Sequence, residues 1–254
     1  MIKIFAEERQ LRIVEILEKN NSVTVNQLCE RFNVSASTIR RDLQLLEEQN
    51  LIQRTHGGAV AKGGTKFEPS FIEKEKEHHQ AKVDIGHKAA ELINEGDTII
   101  LDAGTTTTEL AKHLGNYQDL TVVTNGVNIA LELAQSNCEV ILIGGHLRKH
   151  TLAMVGPVAE DNLSKFSADK VFLGTNGIHL KAGITTPDLV EANTKKMMLE
   201  RAKEVIVLAD YSKFGETAFV KVAEIEEVDI IISDKSLKKE LVESFKEKVD
   251  IILA

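Results

Sequence analysis

Two cysteines, Cys29 and Cys138, are all the thiols in the 254-residue sequence. They are too few and too far apart for a disulfide framework or a Cys-rich zinc site, so no metal is expected. No apolar run approaches the roughly 20 residues of a bilayer-crossing helix. The opening stretch MIKIFAEERQ turns acidic without the apolar core of a signal peptide. The expectation is a cytoplasmic protein with no membrane partner. No G-x-x-x-x-G-K-[ST] or G-x-G-x-x-G segment occurs, so ATP hydrolysis and dinucleotide binding lose support and no cofactor is expected. The remaining composition, 43% hydrophobic and 28% charged, is ordinary for a globular chain. Its length allows one large domain, or a small one plus a medium one.

The net charge of −8 argues against nucleic acid only when averaged over the chain. Residues 1–60 carry eight Lys/Arg and eight Asp/Glu, and the rest carries 23 and 31, so the whole excess lies past residue 60. Screening limits electrostatic reach to about 10 Å, so the local group Arg31, Arg40, Arg41 and Arg54 decides phosphate contact.

Between residues 7 and 19, Leu11, Ile13, Val14, Ile16 and Leu17 favour one side of a helix, which NNS then breaks. In TVNQLCERF, Thr24 and Gln27 have the spacing of a capping box, and Leu28 and Phe32 point inward. Cys29 reads as a small core residue. After an Asn33-Val34 turn comes SASTIRRDLQLLEEQ, with Ser35 as cap and Ile39, Leu43 and Leu46 as a buried stripe. That stripe leaves Ala36, Ser37, Thr38, Arg40, Arg41 and Gln44 on other faces. Small polar residues opening a helix, with two arginines one turn later, suit a major groove. LIQRTHGGAVA reads as a β-hairpin wing turning at Gly57-Gly58, with Arg54 and His56 near its tip. A trihelical unit with a hairpin also serves as a protein–protein module; the arginine pair and the basic wing favour DNA. Thr24, Ser35, Ala36, Ser37, Thr38, Arg40, Arg41, Gln44, Arg54 and His56 are the candidate DNA contacts.

TIRRDLQLLEEQNLIQRTHGGAV closely resembles the amino-terminal signature of the DeoR family of bacterial transcription regulators. The match runs through Arg40, Arg41, Asp42, Leu43, Leu46, Arg54, His56, Gly57, Gly58 and Ala59. It implies a winged helix-turn-helix whose third helix, residues 35–49, reads double-stranded operator DNA.

AKGGTKFEPSF breaks periodicity at Gly63, Gly64 and Pro69. The expected division is a DNA-binding domain at 1–60, a linker with a charged helix at 61–80, and an α/β domain at 81–254. His78 and His79 are adjacent on a predicted helix, so they diverge and cannot chelate one ion. Past Gly96, apolar runs (TIILD, LTVVTN, EVILIGG, KVFLG, EVIVLAD, VDIIISD, VDIILA) alternate with helical patterns. This implies a mainly parallel sheet with helices on both faces, and ligands collect outside the carboxyl ends of such strands.

The loops at those ends are AGTTTT, NG, GGHLRK, TNG and YSKFG. In IILDAGTTTTEL, a glycine turn and a starting helix invite an anion. One N-cap explains one threonine, not four. DAGTTT, VVTNG, LIGG, GPVAEDNL, EANTKKMM and ADYSKFG also resemble successive motifs of the DeoR sensor domain, similar in fold to ribose-5-phosphate isomerase. The resemblance implies that Gly104, Thr105, Thr106, Thr107 and Thr108 hold the phosphate of a sugar or polyol. Asp102, Thr124, Asn125, Gly144, Gly145, Asn176, Gly177, Glu191, Lys195 and Lys213 would line the rest of the pocket. Glu191 and Lys195, four apart on a predicted helix, can instead be an exposed ion pair worth about 0.3–0.5 kcal/mol. Lys213 can be a surface lysine. His146, Arg148, Lys149 and His150 stand either near the ligand or in a solvated loop.

An aldose–ketose isomerase needs a carboxylate base, and isomerases of this fold carry a DGAD-type segment. GTNGIHLKAG, residues 174–183, has no carboxylate and offers His179 in its place. The expectation is therefore a regulator without turnover: a repressor of a sugar catabolic operon, released by a phosphorylated sugar or polyol. An isomerase with an appended DNA-binding module is the alternative, and a sensor domain that recognises another protein is a third reading. Operator half-sites lie about 34–36 Å apart, so a homo-oligomer of at least two chains is expected.

Overall fold

The computed structural model describes residues 5–20, 22–49, 51–55, 57–61, 65 and 68–254. The chain divides into two compact units, Met1–Phe67 and Glu68–Ala254.

The first unit runs α1 (Ala6–Asn20), β1 (Ser22–Thr24), α2 (Val25–Phe32), α3 (Ala36–Glu48), β2 (Ile52–Thr55) and β3 (Gly58–Ala61). Ile13, Ile16 and Leu17 of α1 meet Leu28 of α2, the Ile39/Leu43/Leu46 stripe of α3, and Ile52 and Ala59 of the strands in one core. Leu11 departs from the expected stripe and is 67% exposed, and Phe32 is only half-buried. Thr24 and Gln27 form the capping box that starts α2, and Asn33, at φ 51°, ends it in the left-handed conformation asparagine tolerates. Ser35 caps α3. The wing has a third strand: β1 pairs with β3, which pairs with β2, all antiparallel. A Cβ on Gly58 would collide with the Val23 carbonyl, so glycine is what admits β1 to the sheet.

One ion pair fixes α3 to α1. Arg9 Nε lies 2.6 Å from Asp42 Oδ2 and Nη2 lies 3.1 Å from Oδ1, with Gln10 donating to the same carboxylate. Both side chains are buried, at 9% and 5% exposure.

The second unit opens with α4 (Phe71–Lys76) and α5 (His79–Ala90), followed by β4 (Thr98–Leu101), α6 (Thr105–Ala111), β5 (Thr121–Thr124), α7 (Val127–Leu133) and β6 (Glu139–Leu142). Then come β7 (His146–Arg148), β8 (Ala153–Val155), α8 (Pro157–Leu163), β9 (Ala168–Gly174), β10 (Gly177–His179), β11 (Gly183–Thr186) and α9 (Leu189–Glu200). It closes with β12 (Ala202–Leu208), β13 (Val220–Ala223), β14 (Ile230–Ser233), α10 (Lys239–Phe245) and β15 (Asp250–Leu253).

Seven strands form one parallel sheet in the order β15-β14-β12-β9-β4-β5-β6. The central parts of its inner strands are continuously apolar because both faces are covered there. Ile99, Leu101, Phe172, Ile206 and Ile232 pack with α5, α6 and α7; Ile100, Val171, Leu173, Val207 and Ile231 pack with α8, α9 and α10. A Cβ on Gly86 would lie 2.7 Å from the Glu109 backbone, so this glycine lets α5 cross α6 closely. The chain winds one way from β4 to β6, then returns to place β9 on the other side of β4. The order therefore reverses between β4 and β9, and ligands of open α/β sheets bind at such a crevice.

Three expectations change. The β7–β8 hairpin and the antiparallel β10-β11-β13 sheet occupy stretches read as loops. The predicted helix carrying His78 and His79 breaks at Glu77 and His78, the latter at φ 49°, and the buried Lys82 ammonium closes α4 by donating to the Lys74 and Glu77 carbonyls. Residues 68–80 belong to the second unit instead of a linker; Gly63 and Gly64 lie outside the described residues. Among the described residues no helix is long and apolar enough to cross a membrane.

Removing one partner of a buried ion pair leaves an uncompensated charge, at about 3–5 kcal/mol. Asp42→Ala is expected to destabilise the first unit by that amount in urea unfolding, with the second unit's transition unmoved. A loss under 1 kcal/mol would show that Arg9 reaches solvent.

Candidate functional site

On the first unit, Ser37, Arg40, Arg41 and Gln44 of α3 are exposed and Thr38 is half-exposed. Ala36 is half-buried and packs against the core. Among the described residues neither Arg40 nor Arg41 meets a carboxylate, so both charges stay available. Gln44 donates to Glu48 at 3.0 Å, the Ser35 hydroxyl caps α3, and the Thr24 hydroxyl is taken up in its capping box. Arg54 is exposed, 3.7 Å from Glu47. His56 lies outside the described residues. An open groove of about 550 Å³ bordered by Ile16, Ser22, Val23, Gln27, Glu30 and Arg31 also lies on this unit and contains none of the predicted effector residues.

On the second unit, the predicted effector residues gather along the carboxyl rim of the parallel sheet. The four threonines of α6 divide into two kinds. Thr107 Oγ1 accepts the Gly104 N–H at 2.9 Å and donates to the Asp102 carbonyl at 2.6 Å. Thr108 donates to the Gly104 carbonyl at 2.6 Å and accepts from Asn128 at 2.8 Å. These two fasten the turn. The Thr105 and Thr106 hydroxyls bond to nothing among the described residues, although the residues are 8% and 7% exposed. Next door, Thr124 bonds to the Leu101 carbonyl and the Gly126 N–H, and Asn125 ties the Ala103 N–H to the Met154 carbonyl. Both are fully buried supports of the loop.

Across the crevice, Asp102 accepts from the Gly174 N–H at 3.0 Å and from the Lys195 ammonium, which also donates to the Gly174 carbonyl at 3.0 Å. Glu191 lies 3.7 Å from Lys195, accepts from Arg148, and receives the Thr186 hydroxyl. The exposed-pair reading of Glu191 and Lys195 is therefore ruled out: both are buried. Burial would lower the Lys195 pKa, but Asp102 and Glu191 outweigh it and raise it. Burial pushes the Glu191 carboxyl up, with Glu68 adding to the rise and Lys195 opposing.

Arg148 also reaches Glu68 at 3.1 Å, and Glu68 meets Lys74 at 2.7 Å. Four buried ions and the half-buried Lys74 and Arg148 thus form one chain, Lys74–Glu68–Arg148–Glu191–Lys195–Asp102. Glu68, Lys74, Thr186 and Asn128 were not singled out in the sequence. Glu68 and Arg148 lie 80 residues apart, beyond any local spacing signal.

Asn176 accepts from Thr186 at 3.2 Å, and Gly177 is pressed against the Glu216 carbonyl, where a Cβ would lie 2.6 Å away. Gly144 and Gly145 are exposed before β7, as are His146, Lys149 and His150; Lys213 is half-buried in the turn after β12. His78 packs edge-on to Tyr211 while His79 approaches Glu109, so the two rings diverge. Among the described residues no group of three His, Cys, Asp or Glu is placed to hold a metal. His179 Nδ1 accepts the N–H groups of Lys181 and Ala182, which ties the ring into its own turn.

Two family models match the chain: a DeoR-like helix-turn-helix domain over residues 9–63 and a DeoR C terminal sensor domain over residues 77–235. The HTH-type transcriptional regulator GlpR of Haloferax volcanii is 40% identical across 91% of this chain and 90% of its own. The glycerol-3-phosphate regulon repressor of Escherichia coli is 36% identical across 89% and 90%. Among solved structures, ribose 5-phosphate isomerase A of Methanocaldococcus jannaschii aligns over 54% of each chain at 17% identity and TM-score 0.41, a likeness that carries no argument about activity.

The two kinds of threonine are separable by stability. Thr107→Val strands a buried N–H and a carbonyl and is expected to cost about 1–3 kcal/mol in guanidinium unfolding. Thr106→Val should stay within about 0.5 kcal/mol of the parent. Equal costs would erase the distinction.

Proposed function

The chain belongs to the DeoR family of DNA-binding transcription regulators and is not an enzyme; from that premise we propose that it represses a sugar catabolic operon and leaves its operator when a phosphorylated sugar or polyol binds in the crevice between β4 and β9. The observation that carries the reading is the pair of unpartnered hydroxyls, Thr105 and Thr106, at the point where the strand order reverses. The first turn of α6 adds N–H groups without intrahelical acceptors. Buried Lys195 supplies positive charge below, and Lys213 adds more at the rim. A phosphate ester needs donors and positive potential together, and both are at hand. The relative's name, a glycerol-3-phosphate regulon repressor, supports an esterified polyol or sugar as the class.

On the DNA side, Ser37 and Thr38 at the start of α3 approach base edges, and Arg40 and Arg41 reach phosphates or guanine. One such helix covers few base pairs, so the reading includes a homodimer or larger assembly working in the cytoplasm. Ligand and operator are then linked: an ester that prefers the DNA-incompetent arrangement weakens DNA by the factor by which DNA weakens the ester.

Thermal denaturation with a panel of phosphorylated sugars and polyols tests the effector. At a hundredfold excess over Kd, a true ligand contributes about 2.7 kcal/mol, which moves the midpoint by several degrees. Thr106→Ala should abolish that shift without changing the unliganded midpoint. No shift from any ester would refute the reading. On DNA selected from a random pool by the parent protein, Arg41→Ala should abolish binding while keeping the ester-induced shift. Loss of both together would mean misfolding and remove the evidence for Arg41 as a DNA contact.

A further inference from the structure

Residues 68–82 meet elements of the effector rim at three places. At one end, Glu68 holds Lys74 and Arg148, the His150 ring lies 2.8 Å from the Glu68 carbonyl, and the Phe71 N–H donates to the His150 carbonyl at 2.8 Å. In the middle, α4 packs against α6, the helix that begins with the four threonines. At the other end, His78 stacks edge-on against Tyr211, and Lys82 is buried at the close of α4. The segment is thus a strap over the ligand crevice. Glu68 is also where the chain enters the second unit from the first.

The cations of this cluster are all engaged: Lys74, Arg148 and Lys195 face Glu68, Glu191 and Asp102, with Asp188 3.7 Å from Arg148 as well. A phosphate monoester brings nearly two further negative charges, which Lys213 at the rim only partly offsets, so the ester competes with these carboxylates for their cations. Asp102 is held by a β9 amide as well as Lys195, and Glu191 is built into α9. Glu68 belongs to no helix or strand, and its carboxylate is held by side chains alone. Although burial pushes its pKa up, Lys74 and Arg148 together bring it below the ordinary value. At neutral pH Glu68 therefore stays charged, and relief requires it to move.

We propose that Glu68 stands in for the effector's anion at Arg148 in the unliganded chain, and that a phosphate ester takes over Arg148 and expels Glu68 together with Lys74 and the rest of the strap. Arg148 becomes a ligand cation, and the freed strap passes the event to the chain that leads to the reading helix. The inference rests on the phosphate-ester reading of the crevice given above.

Hydrogen exchange on the full chain separates the two. The probes are glycerol 3-phosphate, fructose 1-phosphate and glucose 6-phosphate, with glycerol as the uncharged control. In the parent, a binding ester should slow exchange at residues 104–111 and speed it at least tenfold at residues 70–82. Glu68→Gln, with unchanged protection in β4 and β9 as proof of folding, should show the fast strap without ester and bind the ester about tenfold tighter. Glu68→Asp, should Glu68→Gln fail to fold, retains the charge with shorter reach and should show an intermediate strap rate. Slowing at 104–111 with no change at 70–82 overturns the strap and leaves the ester reading standing. So does a Glu68→Gln protein that binds the ester equally or more weakly, since a displaced competitor cannot also be a ligand contact. No slowing at 104–111 with any ester overturns the ester reading itself, and the strap with it.

Discussion

Burying an ammonium beside a carboxylate costs several kcal/mol per ion and is tolerated only where geometry and further hydrogen bonds offset it. Lys195 and Asp102 meet that condition through strand order. With β9 inserted beside β4, Asp102 follows the end of one strand while the other presents both the N–H and the carbonyl of Gly174. The α9 helix then places Lys195 between them. A different neighbour for β4 would take the Gly174 amide away and leave the carboxylate one donor short. The pair and the topology therefore require each other, and the result is a rigid floor under the crevice. The Asp102 carbonyl holds Thr107, so the same residue fixes the floor and the loop above it.

What could be read in the sequence follows from how each part is buried. The seven parallel strands were legible because both faces are covered, which makes them continuous apolar runs bounded by glycine and asparagine. The α3 stripe Ile39/Leu43/Leu46 was legible because a helix buries one face at a fixed period, with Ser35 marking its start. The β7–β8 hairpin and the β10-β11-β13 sheet were not, since short strands such as HLR, GIH, GITT and VKVA mix polar residues and glycine with apolar ones and form no apolar run. The side-chain chemistry split along the same line. The threonine loop stood out by composition, but which hydroxyls were free depended on Gly104, Asn128 and Asp102 in space. Arg148 read equally well as a solvated loop residue, because its partners Glu68 and Glu191 lie far away in sequence.

The absence of turnover has a structural counterpart at the rim. Proton abstraction needs a base free to accept a proton at the reacting carbon. Asp102, Glu191 and Glu68 are each tied to a cation, the 174–183 stretch carries no carboxylate, and the His179 Nδ1 is taken up by its own turn. Asp210 and Asp234, just past β12 and β14, are likewise occupied, accepting from Ser212 and from the Tyr211 and Ser236 N–H groups.

Binding alone switches nothing: a ligand moves an equilibrium only by its difference in affinity for the two states. Turning a 1:99 mixture into 99:1 takes about 5.5 kcal/mol of such difference. Hydrogen bonds to charged groups contribute about 1.5–3 kcal/mol each, so two or three state-specific contacts suffice. Contacts to the floor of Asp102, Gly174 and Lys195 cannot supply them, because that floor is locked by the sheet in either state. The discriminating contacts must come from groups on a segment free to change place. On the proposal above, that segment is the stretch carrying Glu68, which is also where the second unit receives the chain from the first. Switching by a sugar ester therefore requires that its charge be felt there.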